Sequence, residues 1–364
     1  MARTGRAVIA HGQDFEIREY PVPDPEPNTV LLKQEMAGIC GTDLHNWQKP
    51  GEKEKGETLP NGFQKEILLG HENVGVIEAI GAGVETDYVG QPIQEGDRIV
   101  FAPGVRGYGA YGFRTEPDNS PHFGGGFSDY IYLNYPNTCL LKTEVSPEVA
   151  VLTEPFTIGV HAAMRGGIKI GDTVVIQGSG AIGLVTLISA KISGAGKLIM
   201  VGGPERRLEL AKRMGADITI NIDEVTSVEE RTDLVKSHTT NGEGAEVVLE
   251  CAGFLPATPE GLGYVRYGGT FVEVGHFVDM GSIDFNINQL LMRKNLRLEA
   301  VWGSTYEHFV RGLPILEKNE FPFADMVSHL LPLSRVKEGF EALNGNYQLD
   351  DKTTIKIVLQ ADAD

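Results

Sequence analysis

Cysteine is scarce in this chain: three residues in 364, Cys40, Cys139 and Cys251. So few, so widely spaced, exclude a disulfide framework and suit a reducing compartment. Positive charge is short as well, with 32 Lys and Arg against 50 Asp and Glu and a net charge of −18. That balance repels phosphate backbones and anionic lipid, which argues against nucleic acid and membranes as partners. No run approaches the ~18 apolar residues that a spanning helix needs. Met1 to Asp14 lack the apolar stretch of a secretion signal, so a soluble cytoplasmic protein is expected. What is abundant is glycine, 45 residues, which points to tight turns and close backbone approaches. The length suggests about two domains.

The first third reads as short strands, Val30–Gln34, Asn73–Ile80 and Arg98–Phe101, between glycine and proline clusters, with no long helical periodicity among them. Two loops, Gln48 to Lys65 and Pro103 to Gly126, are long enough to be functional. From Pro147 the pattern changes. A helical stretch runs to Ala163, and then strands (Thr173–Gln177, Lys197–Val201, Glu246–Cys251, Thr270–Val274) alternate with helices (Ala181–Ser193, Pro204–Met214). Such alternation implies βαβ units and a parallel sheet covered by helices. Helix patterns at Tyr306–Lys318 and Leu333–Leu343 and a strand at Thr354–Leu359 close the chain. The layout expected is a β-rich domain interrupted by an α/β domain: 1–160, 161–300, then 301–364 returning to the first.

Gly178-Ser179-Gly180-Ala181-Ile182-Gly183 is a G-x-G-x-x-G motif directly after a strand and opening a helix. In that context the glycines allow a tight turn, backbone approach to a pyrophosphate and close helix–strand packing, and the helix N-terminus favours the phosphates. The acid that ends the next strand in NAD-binding folds is replaced here by Gly202. Glycine leaves room for a 2′-phosphate that Arg206 could pair with. Equally, Arg206 is solvated, Arg207 supports helix packing, and the Gly202–Gly203 turn binds the ribose of NAD. The choice between NAD and NADP stays open at this level.

Cys40 lies in Gly38-Ile39-Cys40-Gly41-Thr42-Asp43-Leu44-His45, His71 and Glu72 in Gly70-His71-Glu72, and Glu154 in Thr153-Glu154-Pro155. A thiolate, an imidazole and one or two carboxylates make a tetrahedral zinc site with room for water or substrate. Cys139 and Cys251, with no histidine or acid motif beside them, read as core residues.

Taken in order, the Cys40 segment, Gly70 to Ile77, Gly96-Asp97-Arg98-Ile99-Val100, Glu154-Pro155 and Gly178 to Gly183 resemble the zinc-dependent medium-chain dehydrogenases, particularly the alcohol, polyol and threonine dehydrogenase branches. The resemblance runs from about Val30 to Leu359. It implies a GroES-like β-rich catalytic domain with a Rossmann doubly wound parallel sheet inserted into it, and substrate and zinc in a cleft between them. By resemblance, Cys40 and His71 are zinc ligands, Glu72 ligates or lies close by, and Glu154 takes the last ligand position. Asp43 orients His71, while Thr42 receives a proton that His45 passes on. Cofactor contacts are implied at Gly178, Gly180, Ala181, Ile182, Gly183, Gly202, Arg206, Arg207 and Gly275. Homodimers or homotetramers paired through the Rossmann sheets are implied as well.

The four-cysteine lobe that binds a structural zinc in many members has no counterpart, since Ala102 to Gly126 contain no cysteine. One catalytic zinc per chain is therefore expected. The aromatics of that loop (Tyr108, Tyr111, Phe113, Phe123, Phe127) either line the substrate entrance, form an oligomer contact, or pack locally. Trp47 and Trp302 either face the cleft or sit in the core, and His161 reads as structural. Arg106 and Arg114 leave a phosphorylated substrate open. The function expected is hydride transfer between a secondary, cyclic or polyol-like alcohol and NAD(P), giving the ketone. The alternatives are a zinc-independent reductase of activated C=C bonds on the same fold and a non-catalytic NAD(P)-binding protein.

Overall fold

The structure, a computed structural model, describes residues 3–48, 67–107, 109–112 and 123–361. The chain forms two compact units, one of Met1–Glu154, Leu313–Lys318 and Val327–Asp364, the other of Pro155–Gly312 and Asn319–Met326. The changeovers fall at Glu154–Pro155 and Gly312–Leu313, where the sequence pattern suggested 160 and 300. The strand Arg297–Ala300 still belongs to the second unit's sheet, which carries the chain in that unit past residue 300.

In the first unit, Val327–Pro332, Lys356–Gln360, Thr29–Gly38, Glu72–Ile80, Arg98–Val105 and Gly109–Ala110 lie side by side in that order. Tyr130–Asn134 adds to Thr29–Gly38, and Thr138–Thr143 to Arg98–Val105. Val30, Leu32, Ile77, Ile99, Phe101, Ile131 and Leu133 point to one core. A second core gathers Ile39, Trp47, Phe127, Phe340 and Ile357, drawing residues from both ends of the chain. The alternation of faces along each strand separates these sets. A helix interrupts the strands where no periodicity suggested one: Gly41–Gln48, which buries Trp47.

In the second unit six strands form a wholly parallel sheet in the order Ile218–Asn221, Lys197–Gly202, Thr173–Gln177, Ala245–Glu250, Val265–Glu273, Arg297–Ala300. Thr173–Gln177 is buried at every position, as a central parallel strand covered on both faces must be. The chain winds outward from this strand to one edge, then crosses back and winds to the other. The winding reverses between Thr173–Gln177 and Ala245–Glu250, the place where open α/β sheets bind ligands at their strand ends. The expected α/β core is thus present, with additional helices at Val228–Ser237 and Ala257–Tyr264 that the sequence pattern had not marked.

Candidate active site

Cys40 immediately precedes the helix Gly41–Gln48, and the helix is tied to it by Asp43. The Asp43 carboxylate, fully buried, accepts the Cys40 backbone N–H on Oδ2 at 3.0 Å, half of a capping box. Its Oδ1 accepts the Gly70 N–H at 3.3 Å and lies 3.3 Å from Nδ1 of His71. One side chain thus fixes the Cys40 turn, the Gly70 turn and the imidazole ring. With Nδ1 turned to a carboxylate, Nε2 is the nitrogen left for a metal.

Cys40, His71 and Glu72 bring one ligand atom each to within 4.8 Å of one another. Thiolate, imidazole and carboxylate at that spacing suit zinc, so the residues present fit the ion that the motifs implied. His71 is buried, which opposes its protonation, but the Asp43 carboxylate and the Cys40 sulfur outweigh that and hold its pKa well above the usual range. Glu154 stands outside the close triad. Burial, reinforced by Glu72 and opposed by His71 and Lys356, pushes its carboxyl up to about 7.

Lys356 is the group at this site that sequence reasoning missed. It is buried, donates to Glu72 at 2.6 Å and to the Ile39 carbonyl at 3.2 Å, and is separated from Glu72 by 284 residues. Pairing of Val358 with Gly38, and of Gly38 with Glu72, carries it there. Burial lowers its pKa, and Glu72, with Cys40 and Glu154, more than reverses that, so the ammonium is retained. Gly38 makes room for this arrangement: a Cβ there would stand 2.1 Å from Glu72 Oε2. Thr42 Oγ1 lies 3.7 Å from Cys40 Sγ. His45 is one helical turn beyond Thr42, on the same face and partly exposed.

In the second unit the glycine motif takes the expected place. Gly178 leaves the strand at φ +100°, Gly180 starts the helix Ala181–Ile192 where an added Cβ would meet nothing within 4 Å among the described residues, and a Cβ on Gly183 would lie 1.7 Å from the Gly178 carbonyl. Ala181 and Ile182 form the first helical turn, whose backbone N–H groups have no partner within the helix. Gly203 is held by Ser179, whose hydroxyl donates to Gly203 O at 2.9 Å and accepts from Gly203 N at 3.0 Å, and a Cβ on Gly202 would lie 2.6 Å from the same hydroxyl. Arg206 is exposed at the start of the helix Glu205–Arg213, and Arg207 half-buried. The carboxylate missing from Gly202 is approached from elsewhere. Asp223, beyond the neighbouring strand Ile218–Asn221, has Oδ2 3.0 Å from where a Cβ on Gly203 would sit. Gly275 follows the strand Val265–Glu273, its N–H donating to the Glu250 carbonyl.

Of the loop aromatics, Tyr111, Phe123 and Phe127 are core residues, which selects local packing over an entrance or contact role. Tyr108, Phe113, Arg114 and nearly all of Gln48 to Lys65 lie outside the described residues. Trp47 is buried against Phe340, whereas Trp302 is 79% exposed, so a core role for Trp302 is wrong. Arg106 sits over the Tyr88 ring. His161 stacks on His308 and meets the Gly303 carbonyl at 2.8 Å, a packed structural position.

A β-rich unit carrying a Cys–His–Glu set and a doubly wound unit carrying a dinucleotide fingerprint define a nucleotide-dependent oxidoreductase. Models of an alcohol dehydrogenase GroES-like domain and of a zinc-binding dehydrogenase match residues 26–144 and 181–318. Sorbitol dehydrogenase from Gallus gallus is 31% identical over 359 residues, covering 94% of each chain. The crystal structure of an alcohol dehydrogenase from Thermotoga maritima superposes with a TM-score of 0.87 at 28% identity, covering 99% of this chain and 100% of the other. That of 2R,3R-butanediol dehydrogenase from Bacillus subtilis gives 0.79 at 26%, covering 98% and 100%. The chain belongs to the zinc-dependent medium-chain alcohol dehydrogenase family. It is a zinc-type, NAD(P)-dependent alcohol oxidoreductase.

Proposed function

We propose that this enzyme oxidises a polyol-like secondary alcohol to the ketone, with NAD as hydride acceptor, and that Cys40, His71 and Glu72 hold its zinc ion with Glu154 beside them. The convergence of those three ligand atoms within 4.8 Å, next to the helix that bears Thr42 and His45, carries the reading. When bound, zinc supplies Lewis-acid polarisation of an alcohol or carbonyl oxygen. Asp43 keeps the His71 ring in register, and Lys356 holds the buried Glu72 side chain by a hydrogen bond. The Thr42 hydroxyl would accept the alcohol proton as it hands its own to His45, which is partly exposed and would release a proton to solvent; NAD, held at the Gly178–Gly183 turn, would supply the hydride acceptor.

Sorbitol and butanediol dehydrogenases among the relatives support a substrate with neighbouring hydroxyl groups. Asp223 beside Gly203 supports NAD, because a carboxylate accepts from a ribose hydroxyl and repels a 2′-phosphate. The exposed apolar side chains Met292, Leu298 and Trp302 along the sheet edge at Arg297–Ala300 support a homodimer formed through that edge, alone or within a homotetramer. Three free cysteines support the cytoplasm as its compartment; among the described residues no helix is long and apolar enough to cross a membrane.

The test is a reduction assay over polyols, diols and cyclic alcohols, with NAD and NADP in parallel, before and after chelation. Activity on vicinal diols or polyols with NAD, lost on metal removal and restored by zinc, is expected. Full turnover by metal-free protein, or by Cys40→Ser, sinks the metal assignment. A preference for NADP that Asp223→Asn leaves unchanged sinks the cofactor assignment.

A further inference from the structure

We propose that Glu250, Glu273 and His276 form a second divalent-cation site, inside the parallel-sheet unit and independent of the Cys40 set. Glu250 and Glu273 end adjacent parallel strands and are register partners, so the sheet places them side by side. The chain then turns. Backbone N–H groups of Val274 and Gly275 both donate to the Glu250 carbonyl at 3.0 Å, and His276 comes back over the two carboxylates. One ligand atom from each of the three lies within 4.8 Å of the others.

Backbone N–H groups and a hydroxyl orient both carboxylates. Glu250 Oε1 accepts from Ala252 N at 2.7 Å and Gly253 N at 3.1 Å, while Gly253 N also reaches Oε2 at 3.3 Å. Thr258 donates its hydroxyl to Glu273 Oε2 at 3.0 Å. Glu273 Oε1, which also accepts the His276 backbone N–H at 3.3 Å, and Glu250 Oε2 face His276 Nδ1 at 3.0 and 3.7 Å. Ligands about 2.0–2.2 Å from a tetrahedral ion stand about 3.3–3.5 Å apart. The observed pair of distances brackets that spacing. Gly275 is part of the construction, since a Cβ there would lie 2.4 Å from Glu250 Oε2.

The electrostatics favour an occupant. Glu250 has a fully buried side chain, and those of Glu273 and His276 are 22% and 14% exposed. Two carboxylates brought together out of water are neutralised either by a bound cation or by a proton. Access exists as well: Glu273 and His276 line a cavity of about 490 Å³ together with Thr258 and Asp279. The donor set is oxygen, oxygen and nitrogen with no sulfur, which suits Mn²⁺, Co²⁺ or Zn²⁺.

Cobalt titration of the metal-free, full-length protein separates the two sites. A thiolate-to-cobalt charge-transfer band reports the Cys40 set, and ligand-field absorption without that band reports this one. Two ions per chain are expected in the wild type. Glu273→Gln and His276→Gln should each retain one ion, with the thiolate band, and Cys40→Ser one ion without it. A single ion per wild-type chain, or a second ion bound unchanged in Glu273→Gln or His276→Gln, overturns the proposal. The two substitutions are independent, so loss of fold in one leaves the other as the test. Failure of the thiolate band alone would count against the Cys40 assignment and not against this site.

Discussion

Asp43 joins the Cys40 turn, the Gly70 turn and the His71 ring through two oxygens. Its isosteric replacement, Asp43→Asn, keeps the shape and removes the charge that fixes the imidazole. Loss of such an orienting partner typically costs about 10–100-fold in metal affinity or activity. We expect Asp43→Asn to fold, to lose zinc on dialysis that the wild type survives, and to fall in kcat/KM by about that factor; elemental analysis and steady-state kinetics check it. Asp43, Cys40 and His71 were legible in the sequence because each sits in a short, glycine-punctuated motif. Lys356 was not, because it reaches Glu72 only through strand pairing between opposite ends of the chain.

At the level of elements, the glycines of the fingerprint divide into two physical kinds. Gly183 is required for packing, since any Cβ would drive into the Gly178 carbonyl at 1.7 Å. A Cβ on Gly180 would meet nothing within 4 Å among the described residues, so the role proposed for it is backbone approach to the cofactor. Gly183→Ala should therefore cost about 1–3 kcal/mol of stability by overpacking and lose cofactor binding with it. Gly180→Ala should unfold like the wild type yet bind NAD more weakly, because the new methyl stands where backbone must meet the pyrophosphate. Denaturant titration and fluorescence binding, run on both variants, read the contrast; equal stability losses would refute it. The strand–turn–helix of this motif could be read directly from apolar runs and glycine spacing. The acid beside Gly203 could not, because Asp223 follows a different strand and only sheet order brings the two together.

For the whole molecule, the exposed edge strand Arg297–Ala300 is the feature with the clearest consequence. A parallel strand with one edge unpaired among the described residues, flanked by Met292 at 68% and Trp302 at 79% exposure, invites pairing with another copy. Leu298, itself 53% exposed, lies in its centre. Leu298→Asp places a desolvated charge in any contact made there, so sedimentation should show dimers for the wild type and monomers for the variant. An unchanged sedimentation coefficient would remove this edge from the assembly.

Local pattern was sufficient for the βαβ alternation, the strand–turn–helix of the glycine motif and the residue types that gather at Cys40, His71 and Glu72, because apolar period, turn residues and ligand types act over a few neighbouring positions. Folding alone decided which carboxylates acquire partners. The buried Glu72 gains a cationic partner because Lys356 arrives by strand pairing, Gly203 faces an acid because Asp223 arrives from the next strand, and Glu250 meets Glu273 because two parallel strands end level. Each of these depends on sheet register between distant segments, and register is set by the burial of whole strand faces, which no single motif encodes.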